Sequence, residues 1–287
     1  MAMMREADEE PLPSVEKNFL DRPIFAFNFA PVPHVYSVCP FAVKLESFLR
    51  INKIPYESIY GGNFSSKGMV PFIRLDHPDK ETGHEIPDSN VIIERLREEL
   101  GESSSEAHVT PHQRATTHFL IRMLEEHTQQ VGFYYRYGLH IESFLDALDI
   151  QHRFRPGVSK FWGDRQPELT LKKTKARGLT RHTDEEIWRF SNDDIQAISD
   201  MLGDQQFLLG GDKPTLADCA VFGHLSQFLW IPIDFPQRQY LTEICPNVVQ
   251  FMKQFRATYW PDWEDLCNVT LDYANGQTSL RKKHDII

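Results

Sequence analysis

Apolar positions along the first hundred residues alternate between two periods. Pro23 to Phe29 reads as a strand, with Ile24, Ala26 and Phe29 as its apolar positions. Pro40 to Asn52 then follows a helical period. Phe41, Leu45, Phe48 and Leu49 share one face, and Lys44, Glu46, Ser47 and Arg50 fall elsewhere. Tyr56 to Tyr60, Phe72 to Leu75 and the short Glu85-Ile86 read as three further strands. Asp88 to Leu100 returns to the helical period through Ile92, Ile93, Leu96 and Leu100, with Asp88 or Ser89 placed to cap its start. The run GESSSEAHV at 101–109 has the composition of a linker.

Beyond it the pattern predicts helices only: Pro111 to about Gly132, Ile141 to Leu148, Thr183 to Leu202, Thr215 to Leu229 and Asn247 to Thr258. Thr183 and Glu186 have the spacing of a capping box. Gln151 to His182 is weakly patterned and basic in part, through Lys172, Lys173, Lys175 and Arg177. It is expected to be an irregular or mobile excursion with helical pieces. The ends, Met1 to Arg22 and Asp272 to Ile287, read as polar tails, the latter frayed. The expected organisation is a flexible tail over 1–22, an α/β domain over 23–100, a linker over 101–109, an all-helical domain over 110–270 and a polar tail over 271–287. A βαβ unit, two more strands and a helix, followed by an all-α half, is the layout of a thioredoxin-like domain with a helical domain attached.

Composition narrows the class. At 287 residues, with 41% hydrophobic and 25% charged positions, the chain is long enough for two globular domains. A net charge of −10 argues against nucleic acid as a partner. No apolar run approaches a membrane span, and the first residues do not have the form of a signal peptide. Four cysteines, Cys39, Cys219, Cys245 and Cys267, are too few for a disulfide framework; they read as reduced thiols of a cytoplasmic protein.

The chemistry concentrates in Cys39-Pro40-Phe41-Ala42. A cysteine at a helix start faces unpaired N–H groups and the positive end of the helix dipole, which favour its thiolate. Proline fits the first turn that follows. The competing reading is a small buried hydrophobe that happens to begin a helix. Two further features accompany it. Val70-Pro71, if cis, exposes the backbone of Val70 to an extended peptide-like ligand. Asp88-Ser89 opens a helix whose N–H groups and hydroxyl can receive a carboxylate.

On these residues the chain resembles the glutathione transferase superfamily. Cys39-Pro40-Phe41-Ala42 is similar to the omega-class active-site motif, Val70-Pro71 to the cis-proline segment, and Asp88-Ser89 to the acidic-Ser pair that holds the γ-glutamyl end of glutathione. Thr215-Leu216-Ala217-Asp218 is similar to the structural N-capping box of the helical domain, carried by Thr215 and Asp218. A closer resemblance is to the failed axon connections, metaxin and cadmium-responsive branch. It rests on Lys44-Leu45-Glu46, Ile54-Pro55-Tyr56, Ser66-Lys67-Gly68, GLTRHTDEE at 178–186, Leu209-Gly210-Gly211, TLADCAVFGH at 215–224 and Trp260-Pro261-Asp262-Trp263. That branch often carries serine where this chain carries Cys39.

The resemblance implies glutathione as co-substrate, no metal, and an electrophilic or disulfide small molecule as second substrate. Cys39 is the catalytic thiol in this reading. Ser37, Pro40, Phe41, Val70, Pro71, Asp88 and Ser89 are the glutathione-binding residues. A thiolate donates no hydrogen bond to the glutathione sulfur, so thiol transfer or reduction ranks above conjugation. With Ala42 in place of a second cysteine, a one-thiol route is expected. Superfamily members are commonly dimers, so a homodimer is in keeping. The alternative is a non-catalytic adaptor of the same fold, acting through protein or membrane-surface contacts. Other residues carry plainer readings: Tyr36 as loop packing, Lys67 as a solvated lysine, Cys219 as inert core, and Trp230, Trp260 and Trp263 as core and lid. His108 and His112 lack a carboxylate frame for metal. Phe133, Tyr134, Tyr135 and Tyr137 line either the second-substrate groove or ordinary packing.

Overall fold

The computed structural model describes residues 19–61, 64–149, 158–270 and 280–284. Strands β1 (Ile24–Asn28), β2 (Glu57–Tyr60), β3 (Phe72–Leu75), β4 (His84–Pro87) and β5 (Leu280–Lys283) form one sheet in the order β4-β3-β1-β2-β5. β1 runs parallel to β2, and the other neighbours are antiparallel. The parallel pair is joined by α1 (Pro40–Ile51), and α2 (Ser89–Leu100) follows β4. This is the thioredoxin-like layout that the alternating periods predict.

The helical half begins with α3 (Pro111–Met123). Its axis continues through a π-helical turn at Leu124–Thr128, α4 (Gln129–Phe133) and a second π-helical turn at Tyr134–Leu139. The helix therefore does not stop at Gly132. A Cβ there would lie 3.0 Å from the Phe228 ring, so the glycine lets a neighbouring helix approach. After α5 (Ile141–Ala147) come α6 (Val158–Ala176), α7 (Asp184–Leu202), α8 (Leu216–Leu229), α9 (Pro236–Glu243), α10 (Pro246–Tyr259) and α11 (Trp263–Cys267).

Three expectations are corrected. The excursion expected over 151–182 is, from 158 onward, the 19-residue helix α6 with Pro167 inside it, then a turn at Leu179–Arg181; residues 151–157 lie outside the described set. Its buried positions include Thr170 and Thr174, which no hydrophobic period registers. Thr174 Oγ1 donates to the Thr170 carbonyl at 3.0 Å, satisfying the hydroxyl within the helix. The C-terminal tail is not frayed over 280–284. β5 pairs with β2, and His284 is buried against the Tyr56 ring, 4.4 Å away. At the other end, residues 1–18 of the expected tail lie outside the described set, but Phe19 is fully buried, so the domain begins before residue 23.

The core explains where α1 sits. It is covered by the sheet on one side and by α8 on the other, so the polar face read from its period is buried too: Lys44, Glu46, Ser47 and Arg50 are all interior. Each is matched. Glu46 accepts from Tyr36 and Ser58, Arg50 forks onto Asp262, and Ser47 accepts from the Trp260 indole. The α1–α8 contact is backbone-close at Gly223. A Cβ there would lie 2.6 Å from the Pro40 carbonyl and 2.9 Å from the Lys44 nitrogen. At the start of α8, Asp218 accepts from the Thr215 nitrogen and hydroxyl at 2.7 and 2.9 Å, and from the Leu208 nitrogen at 2.8 Å. Burial lifts its carboxyl to about 6.

Candidate functional site

Cys39 occupies the N-cap position of α1, with Pro40 at the first helical residue. Its backbone is held from below: the Cys39 nitrogen donates to Ser37 Oγ at 3.1 Å, and Ser37 Oγ donates to Asn28 Oδ1 at 2.9 Å. Asn28 is the last residue of β1, so the sheet itself fixes the cysteine loop. The Cys39 sulfur meets the Val70 carbonyl at 3.5 Å. Val70-Pro71 is a cis peptide leading into β3. Two of the three motifs thus face each other.

The third stands at the start of α2. Asp88 has a φ of 75° and caps its own helix, accepting from the Asn90 and Val91 nitrogens at 2.8 and 3.4 Å; Ser89 is buried behind it. A buried lysine ties α2 to α1. Lys44 Nζ donates to Asn90 Oδ1 at 2.7 Å and to Glu125 Oε1 at 2.6 Å, and Asn90 Nδ2 donates to Glu125 Oε2 at 3.0 Å. Lys44 and Glu125 hold one another charged: the carboxyl is pulled below its ordinary range despite its burial, while desolvation pulls the lysine down.

Several expected site residues are placed differently. Ser37 is fully buried with its hydroxyl committed to Asn28 and the Cys39 nitrogen, so it shapes the loop and is not presented to a ligand. Tyr36 is likewise turned inward, its hydroxyl donating to Glu46 at 2.6 Å. Pro40 is buried, whereas Phe41 is half-buried and edge-on to His224, ring centres 5.4 Å apart. Of the four aromatics expected at a second-substrate groove, Phe133 and Tyr137 line a cavity of about 730 Å³ between the sheet domain and the helical half. Phe29, Phe64, Trp162 and Thr170 complete much of its wall. Tyr134 and Tyr135 turn away, bonded to Asp184 and the Asp234 carbonyl. The sequence offers no sign of the roles of Arg136 and Gln227, nor that Lys44 is buried and paired. Charged or amide residues at helical spacing read as solvated, and only tertiary packing buries them.

The thiol differs most from expectation. Burial pushes Cys39 up to about 11, outweighing the Ala42 and Phe41 N–H groups and the positive charges of Arg136 and Lys44, all of which pull it down. The helix start exerts the predicted effect, but on a residue that is only 7% exposed.

Residues 40–152 match the glutathione S-transferase N-terminal domain family, and residues 191–255 match the glutathione S-transferase C-terminal domain family. Failed axon connections of Drosophila melanogaster is 32% identical over 264 residues, which cover 87% of this chain and 61% of that protein. A metaxin-1 homolog of Caenorhabditis briggsae is 35% identical over 94 residues, 33% of this chain and 30% of that protein. Among solved structures, a glutathione S-transferase of Ceriporiopsis subvermispora in complex with glutathione superposes with a TM-score of 0.52 at 15% identity. That match covers 87% of this chain and 99% of that one. The chain belongs to the glutathione S-transferase superfamily, in the branch of Failed axon connections and metaxin. It spans less than two thirds of the length of either curated relative.

Proposed function

We propose that this protein binds glutathione and uses Cys39 for one-thiol exchange. The observation that carries the reading is the 3.5 Å approach of the Cys39 sulfur to the Val70 carbonyl, beside the α2 start that bears Asp88 and Ser89. A glutathione laid along Val70 would place its own sulfur at Cys39 and its γ-glutamyl end toward Asp88. The glutathione-bound superfamily structure supports the choice of ligand.

The exchange balances as follows. The Cys39 thiolate attacks the glutathione sulfur of a mixed disulfide, the S–S bond breaks, and the other thiol leaves with a proton from water. A second glutathione, as thiolate, then attacks the Cys39 adduct. Oxidised glutathione departs, made of the glutathione from the mixed disulfide and the one that attacked; Cys39 regains its proton, and one glutathione thiol has been consumed for each target thiol freed. Ala42 gives Cys39 no partner within its own turn, which supports an external resolving thiol.

The test is intact mass after incubation with oxidised glutathione, with peptide mapping and Cys39→Ala alongside. One adduct at Cys39, reversed by reduced glutathione, is the expected result. Absence of an adduct, or scatter over Cys219, Cys245 and Cys267, overturns it. A second reading is favoured by one observation, the burial and raised pKa of the thiol. It is a superfamily fold kept as an adaptor for protein or membrane-surface contacts, and the similarity to Failed axon connections is in keeping with it.

A further inference from the structure

A guanidinium is a permanent cation, and removing it from water is offset only by an anion or a full set of acceptors. Arg136, in the second π-helical turn, is fully buried. Its Nη1 donates to Gln227 Oε1 at 2.8 Å, but Nε and Nη2 have no hydrogen-bond partner among the described residues. Other interior arginines are matched differently: Arg50 forks onto Asp262, and Arg74 meets Glu85. Around Arg136 stand the rings of Tyr137, Phe133 and Phe144, 5.0, 5.4 and 5.4 Å from its central carbon. Rings cover its flat faces but accept none of its in-plane N–H bonds.

Gln227 indicates where the missing anion belongs. Its Oε1 holds Arg136, and its Nε2 donates to the Ser37 carbonyl at 3.0 Å, in the loop whose Ser37 hydroxyl accepts from the Cys39 nitrogen. Arg136 and the Cys39 sulfur also act on one another directly, each favouring the charged form of the other. Among the described residues, the other groups acting on the sulfur offer no equivalent. Lys44 is already paired with Glu125, and the Tyr137 phenol is kept neutral by burial.

We propose that Arg136 is the counter-cation of the Cys39 site, a positioning residue of the helical half that faces the negative charge left on the sulfur when its proton passes to water. The inference rests on reading Cys39 as the working thiol. It adds that the cysteine of the sheet domain depends on a charge from the other domain.

The experiment follows iodoacetamide alkylation of Cys39 against pH in the full chain, by peptide mapping, for wild type, Arg136→Met and Arg136→Lys. Circular dichroism and urea unfolding establish that each variant is folded. Arg136→Met is expected to move the rise of the Cys39 profile upward by about one pH unit, roughly a tenfold slower reaction at fixed pH below the rise. Arg136→Lys is expected to recover most of that loss. A folded Arg136→Met with the wild-type profile overturns the inference. Should Arg136→Met not fold, Arg136→Gln keeps a hydrogen-bond donor without the charge and is read in the same way. Calorimetric titration of wild type with S-hexylglutathione runs in parallel. No heat there sinks the glutathione reading, while the pH profile still decides the role of Arg136.

Discussion

At Cys39 the helix start and the protein interior act in opposite directions, and the interior prevails. The sequence offered both readings and could not choose between them, because burial of residue 39 depends on the helical half folding over it. Two expectations follow at this scale. In the ligand-free protein, Cys39 should alkylate slowly at neutral pH and accelerate only as pH climbs toward about 11. Alkylation kinetics resolved by peptide would check this, and a half-rise below pH 8 would show that the sulfur is more open than its burial implies. Asp88 separates two roles. Asp88→Ala removes the α2 cap and should cost ~1 kcal/mol of stability in urea unfolding. Asn caps as well and tolerates the positive φ, so Asp88→Asn should keep that stability; on the proposed glutathione site it should weaken binding about tenfold or more, by removing the charge offered to the ligand amine. Equal affinity in Asp88→Asn and wild type would remove Asp88 from the ligand site.

Among the elements, the most constrained junction is α1 against α8. Gly223 lies over the Pro40 carbonyl and the Lys44 backbone, atoms that cannot move without shifting the helix that presents Cys39. Gly223→Ala should therefore lower stability by ~2 kcal/mol, within the usual range for overpacking, although alanine is the better helix former. An unchanged unfolding midpoint would mean that the two helices can separate freely. The sequence showed β1 to β4 and both helices of the sheet domain because their apolar periods are strong, and the resemblance pointed to the cap at Asp218; β5 lay in what read as a frayed polar tail. The sequence also obscured α6, where Pro167 and a threonine face blur the period, and the period of α1 set its polar side apart without showing that this side is buried too. Those buried charges lie in the networks that surround the candidate site. What the sequence concealed, namely the burial and pairing of Lys44, Arg136 and Gln227, is therefore what only tertiary contact can reveal.

Over the whole molecule, β5 returns from the helical half to the sheet domain. β5 covers the β2 edge, and His284 packs among Ser58, Arg50 and Tyr56 while Arg50 forks onto Asp262 beside α11. One buried arginine of α1 thus joins the sheet domain, the helical half and the C-terminal strand. The Asp262 carboxyl is held far below its ordinary range by the two hydrogen bonds and the charge of Arg50, with the His284 ring 3.7 Å away, which together overcome its desolvation. A carboxyl with a depressed folded-state pKa contributes stability that is present above its unfolded value, near 4, and lost as pH falls toward the folded one. Acid unfolding of wild type should therefore steepen below about pH 4. Asp262→Asn should be less stable at pH 7 and lose part of that steepness, because the group that takes up the proton is gone. His284 and β5 supply the second arm of the same clamp. Removing residues 280–287 should lower stability at pH 7 and flatten the acid limb in the same direction, since Asp262 then keeps Arg50 alone. Thermal unfolding at intervals from pH 7 to pH 2 measures both. Were the truncated chain to unfold with the full wild-type acid limb, the C-terminal strand would be a cover on the β2 edge and not part of the clamp between the domains.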